Sequence, residues 1–163
     1  MRRAGESVKT SPIIRVRNGQ RKMRLDVARL EQFATRAFER CCELKGAVIA
    51  NVRGLAEISV ILVSDRRMAA LHLQFMQVAG PTDVLTFQHG EIVVSAEMAQ
   101  ENARRFGTPP LDEIRLYVVH GFLHLLGFDD RTAKLSRAME AAQKEVLRSW
   151  RRSNESPGSP RAG

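Results

Sequence analysis

The 163-residue chain has almost nothing with which to cross-link itself: its two cysteines, Cys41 and Cys42, are adjacent. Neighbours on one helix point apart and no second pair exists, so a disulfide framework is excluded. No His or Cys sits at ligand spacing near them, which disfavours a metal role; Cys41 is expected to face the core and Cys42 the surface. Also missing is any apolar run approaching the roughly 18 residues that a membrane helix needs. Residues 1–7 (Met-Arg-Arg-Ala-Gly-Glu-Ser) lack an apolar stretch after their charges. No secretory signal is therefore expected, and a cytoplasmic location is. At 44% hydrophobic residues, the composition excludes a disordered chain and allows one domain with a real core, but not comfortably two.

The net charge of +8 suggests a polyanionic partner, but its distribution is uneven. Residues 1–24 carry eight Lys/Arg against one acid, and residues 148–163 four against one. Residues 25–147 carry fourteen bases and sixteen acids, so the whole excess lies at the ends. Such ends suit RNA tethering through phosphate contacts; solubilising termini are the alternative. Residues 1–11 and 153–163 are polar and hold Pro, Gly and Ser, and they read as disordered tails around a domain spanning 12–152.

Within that domain no repeat or linker interrupts the pattern. Pro12–Arg17 reads as a short strand. Asp26 is placed to cap a helix whose apolar residues Leu30, Phe33, Ala34, Ala37, Phe38 and Cys41 recur at helical spacing, ending near Gly46. Glu57–Val63 is a β-branched strand. Ser64 or Asp65 then caps a helix with Met68, Leu71 and Phe75 inward. After the Gly80-Pro81 turn come strands Asp83–Phe87 and Glu91–Ser95, joined through His89-Gly90. Ser95 caps a helix to about Arg105, stopped by Gly107. A long helix runs from about Leu111 to Leu126 and closes at Gly127. Thr132 opens the last, with Leu135, Met139, Val146 and Trp150 on one face. About four strands and five helices around one core define an α+β or mixed α/β fold, and we expect an α+β domain with a small mixed sheet.

The chemistry concentrates in His120-Gly-Phe-Leu-His124-Leu-Leu-Gly127-Phe-Asp129-Asp130. Residues four apart on a helix share a face, so both imidazoles can reach one ion about 2.0–2.1 Å from each nitrogen. Gly127 then breaks the helix without a Cβ penalty, letting a third ligand swing round. Asp130, six residues past His124, stands where the H-x3-H-x5 spacing of metzincin-type sites puts that ligand, with Asp129 as the competitor. A bare pair of histidines four apart is more often a hydrogen-bonded pair in a buried helix. Here the helix is apolar all round, and two imidazoles in such surroundings are costly unless their nitrogens are bound. A metal ion is the economical partner, zinc first, with Ni, Co or Mn also compatible with two His and a carboxylate.

These residues resemble the YbeY family, which is similar to metzincins in its H-x3-H-x5-H site. The family signature HGxLHLxGYDH stands against residues 120–130; Pro81-Thr-Asp-Val-Leu-Thr-Phe87 resembles PTDVLSF, and Gly90-Glu-Ile-Val-Val-Ser95 resembles GDIVIS. The match spans about residues 56–150; residues 1–55 agree only in layout. The resemblance implies a metal-dependent endoribonuclease acting on single-stranded RNA in ribosomal RNA maturation. Implied partners are the small ribosomal subunit and assembly factors, with no membrane association. Two departures stand out. The third histidine is Asp130 here, and an anionic ligand leaves less positive charge on the metal to activate water. The family's functionally important arginine before PTDVLSF aligns with Met76, and residues 68–103 contain no Lys or Arg.

Arg131 or Arg115 is the substitute guanidinium that closeness in sequence suggests. His89, on the turn between two strands, either lines the cleft or is an exposed turn residue; His72 is expected at the surface. Two other readings compete. A zinc peptidase needs Glu after the first His as its base, and Gly121 stands there. A ribosome-assembly factor with a structural metal site and little nuclease activity is compatible with Met76.

Overall fold

The computed structural model describes residues 11–154, so the expected tails lie outside the described residues apart from Ser11, Ser153 and Asn154. In chain order the elements are β1 (Ile13–Asn18), α1 (Val27–Glu43), a single 3-10 turn (Ile49–Asn51), β2 (Glu57–Val63), α2 (Asp65–Met76), β3 (Val84–Phe87), β4 (Glu91–Ser95), α3 (Ala96–Phe106), α4 (Pro110–Leu125) and α5 (Ala133–Asn154). The expected α+β domain with a small mixed sheet is what the chain forms.

The strands lie in the order β1-β2-β4-β3. β1 and β2 are parallel with Val16 opposite Val60, and β2 and β4 are parallel with Val60 opposite Ile92. A parallel pair needs a crossover, and α1 and α2 supply it. β3 runs antiparallel to β4, with Leu85 opposite Val93, because only a tight turn joins them. Gly90 makes that turn possible: its φ is +99°, and an added Cβ would lie 2.9 Å from the Glu57 carbonyl oxygen.

Alternation along the strands divides the core. Ile58, Val60 and Leu62 of β2, with Ile92 and Val94 of β4, join the main cluster beneath α1, α4 and α5. Val63, Leu85 and Val93 join Met68 of α2 in a smaller cluster on the other face. All six apolar positions foreseen on α1 are buried. A fully buried Phe or Leu contributes about 1.5–3 kcal/mol, so this stripe is what holds α1 to the sheet. The expected caps are made: Asp26 Oδ1 accepts from Arg29 N at 3.1 Å, Ser64 Oγ from Arg67 N at 3.2 Å and Ser95 Oγ from Met98 N at 3.1 Å.

Three positions depart from the sequence reading. Phe75 is 50% exposed and meets the Phe87 ring edge-on at 5.2 Å instead of entering the core. The cluster under α2 is too small to cover its whole apolar face. Leu135 is 42% exposed, lying in the first turn of α5 before Met139 reaches the core. Helix α5 also continues through Ser153 and Asn154, the first two residues assigned to a tail.

Helix α4 docks closely on β4 at Gly121. A Cβ on Gly121 would lie 2.7 Å from Ile92 Cγ2 and 2.9 Å from Cδ1. We predict that Gly121→Ala destabilises the protein by about 1–3 kcal/mol through overpacking, lowering the urea midpoint with little change in m-value.

Candidate metal centre

Helix α4 starts where its sequence makes starting cheap. Pro110 occupies the first turn, where its missing N–H costs nothing, and Asp112 and Glu113 complement the positive end. It ends in a Schellman motif: Gly127 N donates to His124 O at 3.1 Å and Phe128 N to Leu123 O at 3.0 Å. Gly127 adopts φ +90°, and a Cβ there would meet Val48 Cγ2 at 3.1 Å and Asn51 Nδ2 at 3.2 Å. Val48 N donates to Leu126 O at 2.8 Å, so the segment after α1 clamps the helix end. Beyond Gly127 the chain turns back past the last turn of α4 and carries Asp130 with it.

His120 Nε2 and His124 Nε2 lie 2.9 Å apart, with the rings edge-to-face at a centroid distance of 4.5 Å. Asp130 Oδ2 is 3.7 Å from each Nε2. The three ligand atoms fall within 4.8 Å of one another, while both imidazoles stay about one-quarter exposed (26% and 28%). Asp129, the competing carboxylate, is taken up by Arg131, whose Nε and backbone N both donate to it. These bonds hold the half-buried Asp129 carboxyl below its usual range.

His120 Nδ1 lies 2.6 Å from Gln143 Oε1. An amide oxygen only accepts, so Nδ1 carries the proton and Nε2 presents a bare lone pair. The His124 pKa is lowered by burial first and by His120 second, with Asp130 opposing. The two Nε2 atoms face each other at 2.9 Å, close enough to share either a proton or a cation. A tetrahedral ion about 2.0–2.1 Å from its ligands spaces them about 3.3 Å apart. The observed separations of 2.9, 3.7 and 3.7 Å bracket that value. Two His and one carboxylate thus fit a divalent ion, and three ligands leave a fourth position for substrate or water, as in catalytic rather than structural zinc sites.

Gln143 was missed by the sequence reading. Its signal was a polar side chain between Met139 and Val146 on the buried face of α5, where such a group needs a partner. The other candidates are not gathered at the centre. Arg115 pairs with Asp112 at 3.2 Å, and its guanidinium lies 5.5 Å from the Phe33 ring and 5.9 Å from that of Trp150. His89 is exposed, stacks on Phe87 at 5.7 Å and faces Glu91 at 3.2 Å. His72, expected at the surface, is partly buried, with Nδ1 2.9 Å from Gly80 O. Met76 is 45% exposed at the end of α2.

A mixed four-stranded α+β domain here presents two histidines and an acid, across a helix-ending glycine, as a group that could hold a divalent ion. The model of the Endoribonuclease YbeY family matches residues 15–151, and the chain belongs to that family. The Endoribonuclease YbeY of Thermobifida fusca is 39% identical over 122 residues, 64% of this chain and 79% of that protein. That of Acidothermus cellulolyticus is 35% identical, covering 68% and 80%. That of Leifsonia xyli is 31% identical, covering 80% and 90%. Among solved structures, the solution structure of TM1509 from Thermotoga maritima superposes with a TM-score of 0.56 at 30% identity, covering 92% of this chain and 99% of that one.

Two outcomes follow from this geometry. Elemental analysis should find about one divalent ion per chain, lost in His124→Ala and Asp130→Ala but kept in Asp129→Ala. Gln143→Ala should weaken metal affinity about 10–100-fold, read by competition with a chelator, because His120 loses the acceptor that orients it.

Proposed function

We propose that the protein is a divalent-metal-dependent endoribonuclease that cuts single-stranded RNA, with zinc as its resident ion. The observation that carries this reading is the convergence of His120 Nε2, His124 Nε2 and Asp130 Oδ2, open to solvent, in a chain of the Endoribonuclease YbeY family. A divalent ion held there supplies Lewis-acid polarisation of the phosphodiester and activation of a nucleophilic water. The chain's own residues do the rest. His120 and His124 bind as neutral donors, Asp130 closes the triad, and Gln143 holds His120 in its tautomer.

Ribosomal RNA is the proposed substrate, in maturation of the small ribosomal subunit alongside assembly factors, in the cytoplasm. The basic ends of the chain support a polyanionic partner. No helix among the described residues is long and apolar enough to cross a membrane.

The peptidase reading loses support at Gly121. That residue faces Ile92 at a distance that admits no side chain, so the carboxylate base of H-E-x-x-H has no place on this helix. The second reading worth keeping is an assembly factor with a structural metal and little nuclease activity. It is favoured by Met76 in place of the family's arginine and by the absence of Lys and Arg from 68–103. Arg131, next to the metal-binding Asp130, is the guanidinium proposed to serve instead; unchanged cleavage by Arg131→Ala would end that role.

Incubation of the metal-loaded chain with single-stranded ribosomal RNA should give cleavage that chelator and His124→Ala abolish. Intact RNA under those conditions overturns the nuclease reading in favour of the assembly factor, and digestion of casein would revive the peptidase. Asp130→His, which restores the family's third histidine, should keep the metal and raise the cleavage rate several-fold, because a neutral ligand leaves more charge on the ion.

A further inference from the structure

A second charged feature lies where the first turns of α1 and α4 meet the last turns of α5. Two cavities of about 380 and 360 Å³ open there. Arg24, Arg29 and Arg115 line the first, and Arg29, Arg115, Trp150 and Arg151 the second. Arg29 and Arg115 are common to both, so the cavities adjoin and their arginines flank one groove-like face.

Its electrostatics differ from those of a solvated charged face. Of the four lining arginines only Arg115 has a carboxylate partner among the described residues, Asp112 at 3.2 Å. The other acid in the lining, Asp26, is committed to capping α1 through Arg29 N at 3.1 Å. Arg115 Nε is buried and has no hydrogen-bond partner, an expensive state for a charged group. The same guanidinium is shelved on Phe33 and Trp150, so it is held in place as a fork that suits phosphate. The segments at Leu25–Asp26 and Pro110–Leu111 also bring the positive ends of α1 and α4 to the groove.

The groove shares α4 and α5 with the metal centre. Along the helix axes, Gln143 and Trp150 are about 10 Å apart on one face of α5, and His120 and Arg115 about 7.5 Å apart on α4, though about 140° round it. A nucleic-acid strand with its scissile bond at the metal therefore has further phosphates within reach of the arginines. We propose that this groove is a sequence-neutral phosphate subsite for the single-stranded RNA substrate, an inference that rests on the RNA-cleaving reading above. Phosphate contacts are favoured over base stacking because Arg36 and Arg115 already lie over the Trp150 ring, at 5.8 and 5.9 Å. An acidic protein would fit the charge but gains nothing from closeness to the metal.

The test is binding of a fluorescent, phosphorothioate-linked single-stranded RNA, checked as intact after each measurement, to the metal-loaded full chain, followed by anisotropy across a salt series. Arg29→Glu/Arg151→Glu, both exposed positions, should weaken binding at least about ten-fold and flatten the log–log salt slope by about 1.4, the value for two lost phosphate contacts. Arg66→Glu/Arg67→Glu on α2 makes the same change in net charge and should stay within about two-fold of the parent. Metal content should be unchanged in both, and the milder Arg29→Gln/Arg151→Gln should give an intermediate loss. A groove variant that binds RNA as tightly as the α2 control overturns the subsite while leaving the nuclease reading intact. A parent that neither binds nor cleaves RNA overturns both. If the groove variant loses only binding of polyglutamate, an acidic protein partner replaces RNA.

Discussion

Helix α4 lies against strand β4 at Gly121 with no room for a single methyl group, and much of the molecule is arranged by that contact. Ile92 fills the space a side chain would take. Once Gly121 is turned to the sheet, the helical period fixes the direction of its neighbours. Phe122 and Leu125 are driven into the core, while His120 and His124 turn to the seam with α5 and to the chain returning past Gly127. The same contact explains why a helix with zinc-protease spacing carries glycine after its first histidine.

Everything at the metal centre then depends on which nitrogen bears the proton. Gln143 from α5 holds the His120 ring by its Nδ1, so that its Nε2 faces that of His124. That arrangement suits a shared proton or a cation. Asp130 brings a carboxylate to the same point, 3.7 Å from each Nε2. Asp129 is instead paired with Arg131. An ion bound there would meet an anionic ligand, which favours retention over activation of a bound water.

Elements with strong local signals were legible. The α1 stripe, the β-branched run of β2, the three side-chain caps and the glycine stops of α3 and α4 all lie where spacing and cap chemistry put them. Phe75, Leu71 and Met68 share a helical face, but only Met68 is fully buried, since periodicity names a face without saying how far the partner surface extends. Leu135 misled for the same reason at the start of α5.

Residues within one turn of each other needed no tertiary information. The i,i+4 histidines, the helix-breaking glycine and an acid six positions on follow from backbone geometry that a short segment carries alone. Three matters required the folded chain: Gln143 as the partner of His120, the direction in which Gly121 faces, and the gathering of Arg24, Arg29, Arg115 and Arg151 around neighbouring cavities. Each joins residues separated by loops or by whole elements. Helical period does not encode how one helix is rotated against another; close packing of the side chains between them does.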